Sequence, residues 1–221
     1  MDKPKTNIFP GLIYDLVFAT RNNNKIQEVS SIWREEILDR GYHLRFPQIK
    51  SLEDINLDLD MEETGIDLQE NAILKANYIY SNHSLNCFAE DSGLEVEELG
   101  GAPGVYSARF AGPECDDLKN ISLLLRKLEK KDNRRARFKT AIALIIDGKT
   151  YLFFGSVNGY ITSEIRGENG FGYDPVFQPE GCLNTFAEMD LSTKNNMSHR
   201  SIAIRKMVRF LIPLLPKIDD N

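Results

Sequence analysis

The first fifty residues contain two apolar patterns with different periods. Leu12 to Ala19 is a mostly apolar run of strand length, and the polar segment Thr20 to Lys25 follows it. From Ile26 to Ile37, apolar side chains recur at the spacing that places them on one side of a helix. Tyr42 to Phe46, before a proline, has the composition of a strand. The pattern predicts a strand, a helix and a second strand.

A second helix is predicted from its capping residues as well as its period. Asp67 and Glu70 form the sequence pattern of a capping box, and Leu68 to Ile79 carries an apolar stripe. Cys87 to Ala89 is then predicted to be a short buried strand that leads directly into Glu90 to Gly93. Two adjacent carboxylates are therefore expected at the end of this strand.

The next segment combines a loop, a helix and a hairpin. A glycine-rich loop, Gly100 to Gly112, leads to a third helix that begins near Asp116. The apolar stripe of this helix consists of Leu118, Ile121, Leu125 and Leu128. Phe138 to Ile146 and Tyr151 to Val157 flank Asp147-Gly148, a dipeptide typical of a hairpin turn.

The last third of the chain completes the alternation of helices and strands. After a second glycine-rich loop, Gly167 to Tyr173, a short strand holds Val176 and Phe177, and a final helix runs from about Ser198 to Leu211. The hairpin adds an antiparallel pair to this alternation. The chain is therefore predicted to form an α/β domain with a mixed sheet.

Composition narrows the class of protein. The 221 residues are 42% hydrophobic and 27% charged, which argues against disordered and fibrous classes and fits one large domain or one domain in two lobes. No apolar run approaches the ~18 residues that a membrane span needs. The N-terminus lacks the apolar core of a signal peptide, and three widely spaced cysteines fit a reducing compartment, so we expect a cytoplasmic protein. The net charge of −6 argues against a nucleic-acid partner.

Thr20 to Lys25 is the first candidate binding segment. A turn from a strand into a helix points free backbone N–H groups and the positive end of the helix dipole outward, which suits a phosphate. Lys25 lies near the first helical turn, where a bound anion would offset the unfavourable position of a cation. The alternative is an ordinary polar connection. The segment does not match a Walker A loop.

Glu90 and Asp91 form the second candidate, as carboxylates that need a compensating cation if buried. Oxygen ligands of this kind suit Mg²⁺, which usually takes one or two carboxylates together with substrate phosphates. The alternative is a turn that ends a strand. Glu62 and Glu63 form a second acidic pair, and Lys75, at the edge of an apolar stripe, either extends over the core or binds phosphate.

Two further candidates lie in the last third of the chain. Phe171 to Pro175 holds two aromatic rings around a glycine and could stack on a base, or form a buried aromatic corner. Lys194, His199 and Arg200 could donate hydrogen bonds to a base or to phosphates. A histidine at a helix start is otherwise a cap or a surface residue.

The exact residues of these segments and their order along the chain are together more specific for one protein family than any single segment is. Seven motifs occur in sequence: Thr20-x-Asn22-x-x-Lys25, Glu63-Thr64-Gly65, Glu70-Asn71-Ala72, Asp91-Ser92-Gly93-Leu94, Gly100 to Arg109, Phe171 to Pro175 and Ser198-His199-Arg200. From Leu16 to Leu211 the chain resembles the inosine triphosphate pyrophosphatase family. The resemblance implies a single two-lobed domain over residues 1–221, with a long mixed sheet, flanking helices and an active site in the cleft between lobes.

The same resemblance implies an activity and its cofactor. It implies a homodimer that hydrolyses ITP, dITP and XTP to the monophosphate and pyrophosphate with Mg²⁺, and so removes deaminated purines from the nucleotide pool. Asp91 would activate the attacking water, and Glu63 and Asp91 would bind the metal. The residues expected to bind the nucleotide are Thr20, Arg21, Asn22, Asn23, Asn24, Lys25, Lys75, Ser92, Arg109, Phe171, Gly172, Tyr173, Asp174, Lys194, His199 and Arg200.

Two positions depart from the family pattern. Arg21 stands where relatives often have glycine, so the loop differs in shape or gains a phosphate contact. Glu90 stands where many relatives have Asp. Base selection is expected to rest on donors such as His199 and Arg200, which the 6-oxo group of hypoxanthine or xanthine can satisfy and the amino group of adenine cannot. The alternatives are a non-catalytic sensor of purine triphosphates and the same chemistry on another modified nucleotide.

Overall fold

The computed structural model describes residues 15–38, 47–57 and 63–215. Six strands form one sheet in the order β2-β1-β3-β4-β5-β6. They are β1 (Leu16–Phe18), β2 (Ile49–Lys50), β3 (Cys87–Val96), β4 (Arg135–Ile146), β5 (Lys149–Ile161) and β6 (Phe177–Pro179). β1 pairs in parallel with β2 and β3, and the remaining pairs are antiparallel. The predicted α/β fold with a mixed sheet is confirmed.

Helices pack on both faces of this sheet. They are α1 (Asn23–Leu38), α2 (Leu68–His83), α3 (Asp117–Lys127), α4 (Leu191–Met197) and α5 (His199–Leu211). Apolar side chains of α1 and α5 share one core with alternate residues of the central strands, while α2 packs on the opposite face. α3 belongs to a third core at the far end of β3 and β4. Within the described residues, no helix is both long and apolar enough to cross a membrane.

Predicted helix starts are confirmed where a polar side chain caps the helix. Asp67, Asp116 and Ser198 each accept a hydrogen bond from the backbone N–H three residues later. These side chains satisfy N–H groups that have no partner within the helix. The predicted starts of α2, α3 and α5 are therefore confirmed, and for α2 the capping box in the sequence was the signal.

The prediction of a short strand ending at Ala89 was wrong. β3 continues to Val96 because β4 pairs with it along its whole length. Glu90 and Asp91 consequently lie in the middle of a strand and not at its end. β1, by contrast, stops at Phe18, so its carboxyl end opens the sheet beside these two carboxylates.

Three smaller differences concern the ends of elements. Val176 lies in a 3₁₀ turn, Asp174–Val176, and β6 begins one residue later. Leu118 is 65% exposed and does not join the buried stripe of α3, because it lies in the first turn on the solvent side. The short helix α4 was not predicted from the sequence. The division of the domain into two lobes stays a prediction.

Some predicted features lie outside the described residues. They are positions 12–14 of the first predicted strand, the predicted strand Tyr42 to Phe46, and positions 58–62 of the acidic stretch, including Glu62.

Gly155 in β5 allows α5 to approach the sheet very closely. A Cβ atom at this position would lie 1.9 Å from the carbonyl oxygen of His199 and 2.9 Å from the backbone nitrogen of Ala203. Both contacts are to backbone atoms, which cannot rotate away. The absence of a side chain at Gly155 therefore fixes how near the start of α5 lies to β5.

Gly155→Ala is expected to destabilise the protein by about 1–3 kcal/mol, because the added methyl group must push α5 off the sheet. The measurement is the free energy of unfolding from urea denaturation. Ser156→Ala, at the exposed neighbouring position of the same strand, is the control and should change it by less than about 0.5 kcal/mol. Equal stabilities of the two variants would contradict this account of the packing.

Candidate active site

A cavity of about 490 Å³ opens beyond the carboxyl end of β1. The predicted site residues that line it are Thr20, Arg21, Asn22, Lys25, Glu63, Lys75, Asp91, Ser92, Arg109, Phe171, Gly172, Tyr173, Asp174, Lys194, His199 and Arg200. The two remaining predicted residues, Asn23 and Asn24, are exposed in the first turn of α1 and are not part of the lining. The fold therefore brings segments from nearly the whole chain to one place.

The turn between β1 and α1 is held by its own side chains. The Asn22 side chain accepts a hydrogen bond from the backbone N–H of Lys25 (3.1 Å), and the Thr20 hydroxyl accepts one from the N–H of Asn22 (3.2 Å). The Lys25 ammonium reaches into the cavity, where its Nζ lies 3.8 Å from Glu90 Oε1. Burial lowers the pKa of Lys25. A largely buried cation thus lies one turn from the start of α1.

Strand alternation sends the neighbouring carboxylates Glu90 and Asp91 to opposite faces of the sheet. Glu90 points toward α5, where Arg200 donates to it from Nε (2.8 Å) and Nη2 (3.0 Å). Asp91 points toward α2, where it accepts from Lys75 Nζ (3.1 Å) and Asn71 Nδ2 (3.2 Å). The two carboxylates of this candidate segment therefore have different partners on opposite faces of the sheet.

Lys75 is the centre of the charged group on the α2 side. Its Nζ donates to Glu63 Oε1 (2.8 Å), Asp91 Oδ1 (3.1 Å) and the backbone carbonyl of Glu90 (2.9 Å). Burial alone would lower the pKa of Lys75, but the Asp91 and Glu63 carboxylates outweigh it and raise that pKa. Burial raises the pKa of Asp91. Lys75 is only 7% exposed, so it is not a lysine that extends over the core into solvent.

Glu63 and Asp91 are oxygen donors that suit a magnesium ion. Both carboxylates contact one ammonium group, so they lie close enough to share a cation. Within the described ranges no group of three or more His, Cys, Asp or Glu side chains could hold a metal by itself. Two carboxylates fit Mg²⁺ when substrate phosphates supply further ligands, which is the usual arrangement for this ion.

Five buried charged side chains form what we call the buried ion network: Glu28, Glu90, Asp174, Lys194 and Arg200. The Glu28 carboxylate bridges Lys194 Nζ (2.6 Å) and Arg200 Nη1, and Lys194 also binds Asp174. Burial raises the pKa of Glu28 and of Glu90, but Arg200 and a neighbouring lysine in each case outweigh burial and lower it. Both glutamates therefore stay ionised inside the protein.

Arg200 is committed mainly to this network. Its hydrogen bonds to Glu28, Glu90 and Ser92 use four of the five guanidinium N–H groups. The expected donation from Arg200 to a base is therefore limited to the second hydrogen of Nη1. The main contribution of Arg200 in this structure is to neutralise and orient two buried carboxylates.

Aromatic and imidazole rings form the other end of the cavity. The His199 ring stacks on Phe138 with a centroid distance of 4.5 Å and an interplanar angle of 9°. Burial, helped by the Arg200 charge, holds the pKa of His199 well below its usual value, so the ring is neutral. Its Nδ1 atom is buried and has no hydrogen-bond partner among the residues that the structure describes. The Phe171 ring lies 5.2 Å from Lys194 Nζ and 5.4 Å from Arg200 Cζ.

The 3₁₀ helix Gly104–Arg109 forms a further wall of the cavity. Tyr173 donates from its hydroxyl to the Ser107 carbonyl (2.9 Å), which ties this wall to the aromatic loop. Arg109 donates from Nη1 to Glu63 Oε2 (3.5 Å) and from Nη2 to the Glu63 carbonyl (3.3 Å). Arg109 thus lies beside the α2 group of charges.

Sequence reasoning missed four residues of the site: Glu28, Asn71, Asp117 and Phe138. Glu28 carries a signal in retrospect, since it is a charged residue one turn after Lys25 beside the apolar stripe of α1. Asp117 accepts a hydrogen bond from the Gly172 N–H (2.7 Å), a contact between residues 55 positions apart. Asn71 occurs in the motif Glu70-Asn71-Ala72 and Phe138 in an apolar strand, but neither pattern indicated a contact with Asp91 or His199.

Comparison with known proteins agrees with the motif order. A model of the Ham1 family matches residues 16–210. A dITP/XTP pyrophosphatase of Christiangramia forsetii is 48% identical over 196 residues, which cover 89% of this chain and 98% of the relative. The dITP/XTP pyrophosphatase of Bacillus subtilis is 41% identical over 203 residues, with coverage of 90% and 98%.

Solved structures agree with the fold. The Ham1 protein of Staphylococcus aureus superposes with a TM-score of 0.78 at 37% identity, covering 90% of this chain and 98% of that one. A HAM1 protein from Coxiella burnetii gives a TM-score of 0.77 at 35% identity, with coverage of 90% and 99%. The family match spans nearly all described residues, and the identities are far above those of chance similarity. The chain therefore belongs to the Ham1 family, which confirms the resemblance seen in its motifs.

Proposed function

We propose that this chain is a nucleoside triphosphate pyrophosphatase that hydrolyses the deaminated purine nucleotides ITP, dITP and XTP to the monophosphate and pyrophosphate. The observation that carries the proposal is the division of one cavity into two ends. One end holds Lys25, Lys75, Glu63 and Asp91, and the other holds rings beside neutral His199. Relatives named dITP/XTP pyrophosphatase support this substrate class.

The triphosphate is expected to bind between α1 and α2. Lys25 near the start of α1 and Lys75 on α2 both line the cavity. A triphosphate carries several negative charges, which cations and the helix dipole together can offset. Arg21 and Arg109 also line this part of the cavity and add positive charge.

Glu63 and Asp91 would hold Mg²⁺ together with phosphate oxygens. A bound magnesium ion neutralises phosphate charge and orients the triphosphate. In this arrangement Lys75 stays bonded to both carboxylates or shifts to a phosphate oxygen, so it keeps the local charge balanced.

Asp91 is proposed to accept a proton from the attacking water. The oxygen of that water forms a bond to the α-phosphorus, and the bond from the α-phosphorus to the bridging oxygen breaks, which releases pyrophosphate. Burial raises the pKa of Asp91, which makes it a stronger base than an exposed aspartate. Lys75 donates a hydrogen bond to its Oδ1 atom and holds that oxygen in place.

The base is proposed to lie against Phe171, with its 6-oxo group facing His199. A neutral imidazole donates one hydrogen bond, and Arg200 has one N–H that its hydrogen bonds to other described residues do not use. The amino group of adenine would leave these buried donors unpaired, which is a large penalty. Guanine shares the 6-oxo group, so its rejection depends on contacts at the 2-position.

We also propose that the protein acts as a homodimer in the cytoplasm. The face of β5 opposite α5 supports an interface, since Phe154 is 45% exposed and Tyr160 is 39% exposed there. Large apolar side chains on an uncovered sheet face are typical of a surface that another protein covers.

Pyrophosphate release from ITP, dITP and XTP is expected to exceed release from ATP by at least about 100-fold in kcat/KM, because the amino group of adenine leaves buried donors unpaired. Release from GTP is also expected to be slower, through contacts at the 2-position. Chelation of Mg²⁺ should abolish release, and added Mg²⁺ should restore it. Pyrophosphate and orthophosphate are assayed separately.

The other outcomes of that assay separate the alternatives. Equal rates on all five nucleotides would contradict base selection by His199 but would still support the proposed reaction. Preference for a modified pyrimidine triphosphate would favour the same chemistry on another substrate. Orthophosphate as the first product would contradict attack at the α-phosphorus. Binding of ITP without release of either product would favour the sensor.

Asp91→Asn is expected to lower kcat for ITP by about 100- to 10,000-fold, because the amide keeps the shape of the side chain but cannot accept the proton. Circular dichroism and a cooperative unfolding transition should be retained. Asp132→Asn, at an exposed position, is the matched control. A folded Asp91→Asn enzyme with near-normal turnover would reject Asp91 as the base.

Lys25→Ala is expected to raise KM for ITP at least about 10-fold, because a cation that contacts phosphate contributes roughly 1.5–3 kcal/mol. Lys149→Ala removes an exposed lysine that does not line the cavity and should leave KM unchanged. Unchanged KM and kcat in Lys25→Ala would count against a phosphate contact.

A further inference from the structure

Asn71 is a fully buried amide that has no place in the chemistry described so far. It lies in the first turn of α2, is 0% exposed, and is not part of the cavity lining. A buried side-chain amide is costly unless both its acceptor and its donor are satisfied. The partners that satisfy it show what the residue does.

The two ends of the amide contact two different parts of the site. Oδ1 accepts a hydrogen bond from the backbone N–H of Gly65 (2.8 Å), and Nδ2 donates to Asp91 Oδ2 (3.2 Å). Gly65 lies two residues after Glu63. Asn71 therefore links the backbone of the Glu63 loop to the carboxylate of Asp91.

The loop that contains Gly65 lies in very close contact with Asn71 at the start of α2. A Cβ atom at Gly65 would lie 2.6 Å from Asn71 Oδ1 and 2.8 Å from the Asn71 backbone nitrogen. Only glycine thus allows the close approach of the loop to Asn71. On the other side, Lys75 bonds to Asp91 Oδ1 and to Glu63 Oε1, so both oxygens of Asp91 are held.

We propose that Asn71 is a positioning residue that sets the orientation of Asp91 and its separation from Glu63. The inference rests on the proposed function, in which Asp91 accepts the proton and both carboxylates bind Mg²⁺. Asn71 does not line the cavity, so it acts on the reaction only through Asp91 and the Glu63 loop. Its loss would let the Asp91 carboxylate rotate about its Cβ–Cγ bond and the Glu63 loop drift, while the surfaces that bind base and phosphate stay intact.

Asn71→Asp separates the two halves of the amide. The new carboxylate keeps an acceptor for the Gly65 N–H and replaces the donor to Asp91 with a like charge. We expect kcat for ITP to fall by about 10- to 100-fold and the half-saturating Mg²⁺ concentration to rise by about 10-fold, as is usual for residues that orient metal ligands. KM for ITP should change by less than about 3-fold, since phosphate and base contacts are elsewhere.

Asn71→Ser removes the amide without adding a charge, and it decides the matter if the aspartate variant does not fold. Asn77→Asp is the matched control, because Asn77 lies on the same helix and is exposed. A readout independent of turnover is ITP affinity by calorimetry in the presence of a chelator, which should equal that of the wild-type protein in both Asn71 variants.

The outcomes are distinct. Folded Asn71 variants with wild-type kcat and wild-type Mg²⁺ dependence would overturn the proposal. So would a loss of kcat accompanied by an equal loss of metal-free ITP affinity, because that would indicate general damage to the cavity. If the wild-type protein itself releases no pyrophosphate, the proposed function fails first, and this result is separate from any effect of Asn71.

Discussion

The buried ion network constrains the site more strongly than any other interaction in the molecule. Taking a carboxylate or a guanidinium out of water costs several kcal/mol, and partners in good geometry must recover that cost. With Lys25 at one end, positive and negative side chains alternate through Glu90, Arg200, Glu28 and Lys194 to Asp174. Removing any member leaves an uncompensated charge, so the elements that carry them must keep their relative positions.

These six residues come from five parts of the fold. α1 supplies Lys25 and Glu28, β3 supplies Glu90, the loop before β6 supplies Asp174, and α4 and α5 supply Lys194 and Arg200. The network therefore connects the helix proposed to bind phosphate with the wall proposed to bind the base. Arg200 contributes to this connection because four of its N–H groups donate hydrogen bonds to Glu28, Glu90 and Ser92. These contacts can be seen only in the tertiary structure.

Two consecutive residues of β3, Glu90 and Asp91, belong to two different groups of charged side chains in the site. Glu90 belongs to the buried ion network on the α5 side, where Arg200 and neighbouring lysines outweigh burial and lower the pKa values of Glu28 and Glu90. Asp91 belongs to the α2 side, where burial raises its pKa and the only cation bonded to it is Lys75, within the described residues. One carboxylate is thereby fixed as a counter-ion, and its neighbour stays available to accept a proton.

The sequence by itself determined the α/β class, the mixed sheet and the starts of α2, α3 and α5, and it named sixteen of the residues that line the cavity. Periodicity, capping and short motifs each depend on residues that are close together in the sequence. They can therefore be recognised from the sequence alone. The length of β3, the opposite directions of Glu90 and Asp91, and the roles of Glu28 and Asn71 were decided by tertiary structure. Each depends on a partner far away in the chain: β4 for the strand, Arg200 and Lys75 for the carboxylates, and Lys194 and Gly65 for the buried polar side chains. The physical reason is that a buried charge or amide needs hydrogen-bond or ion-pair partners, and those partners determine what it does. Only folding brings these partners together.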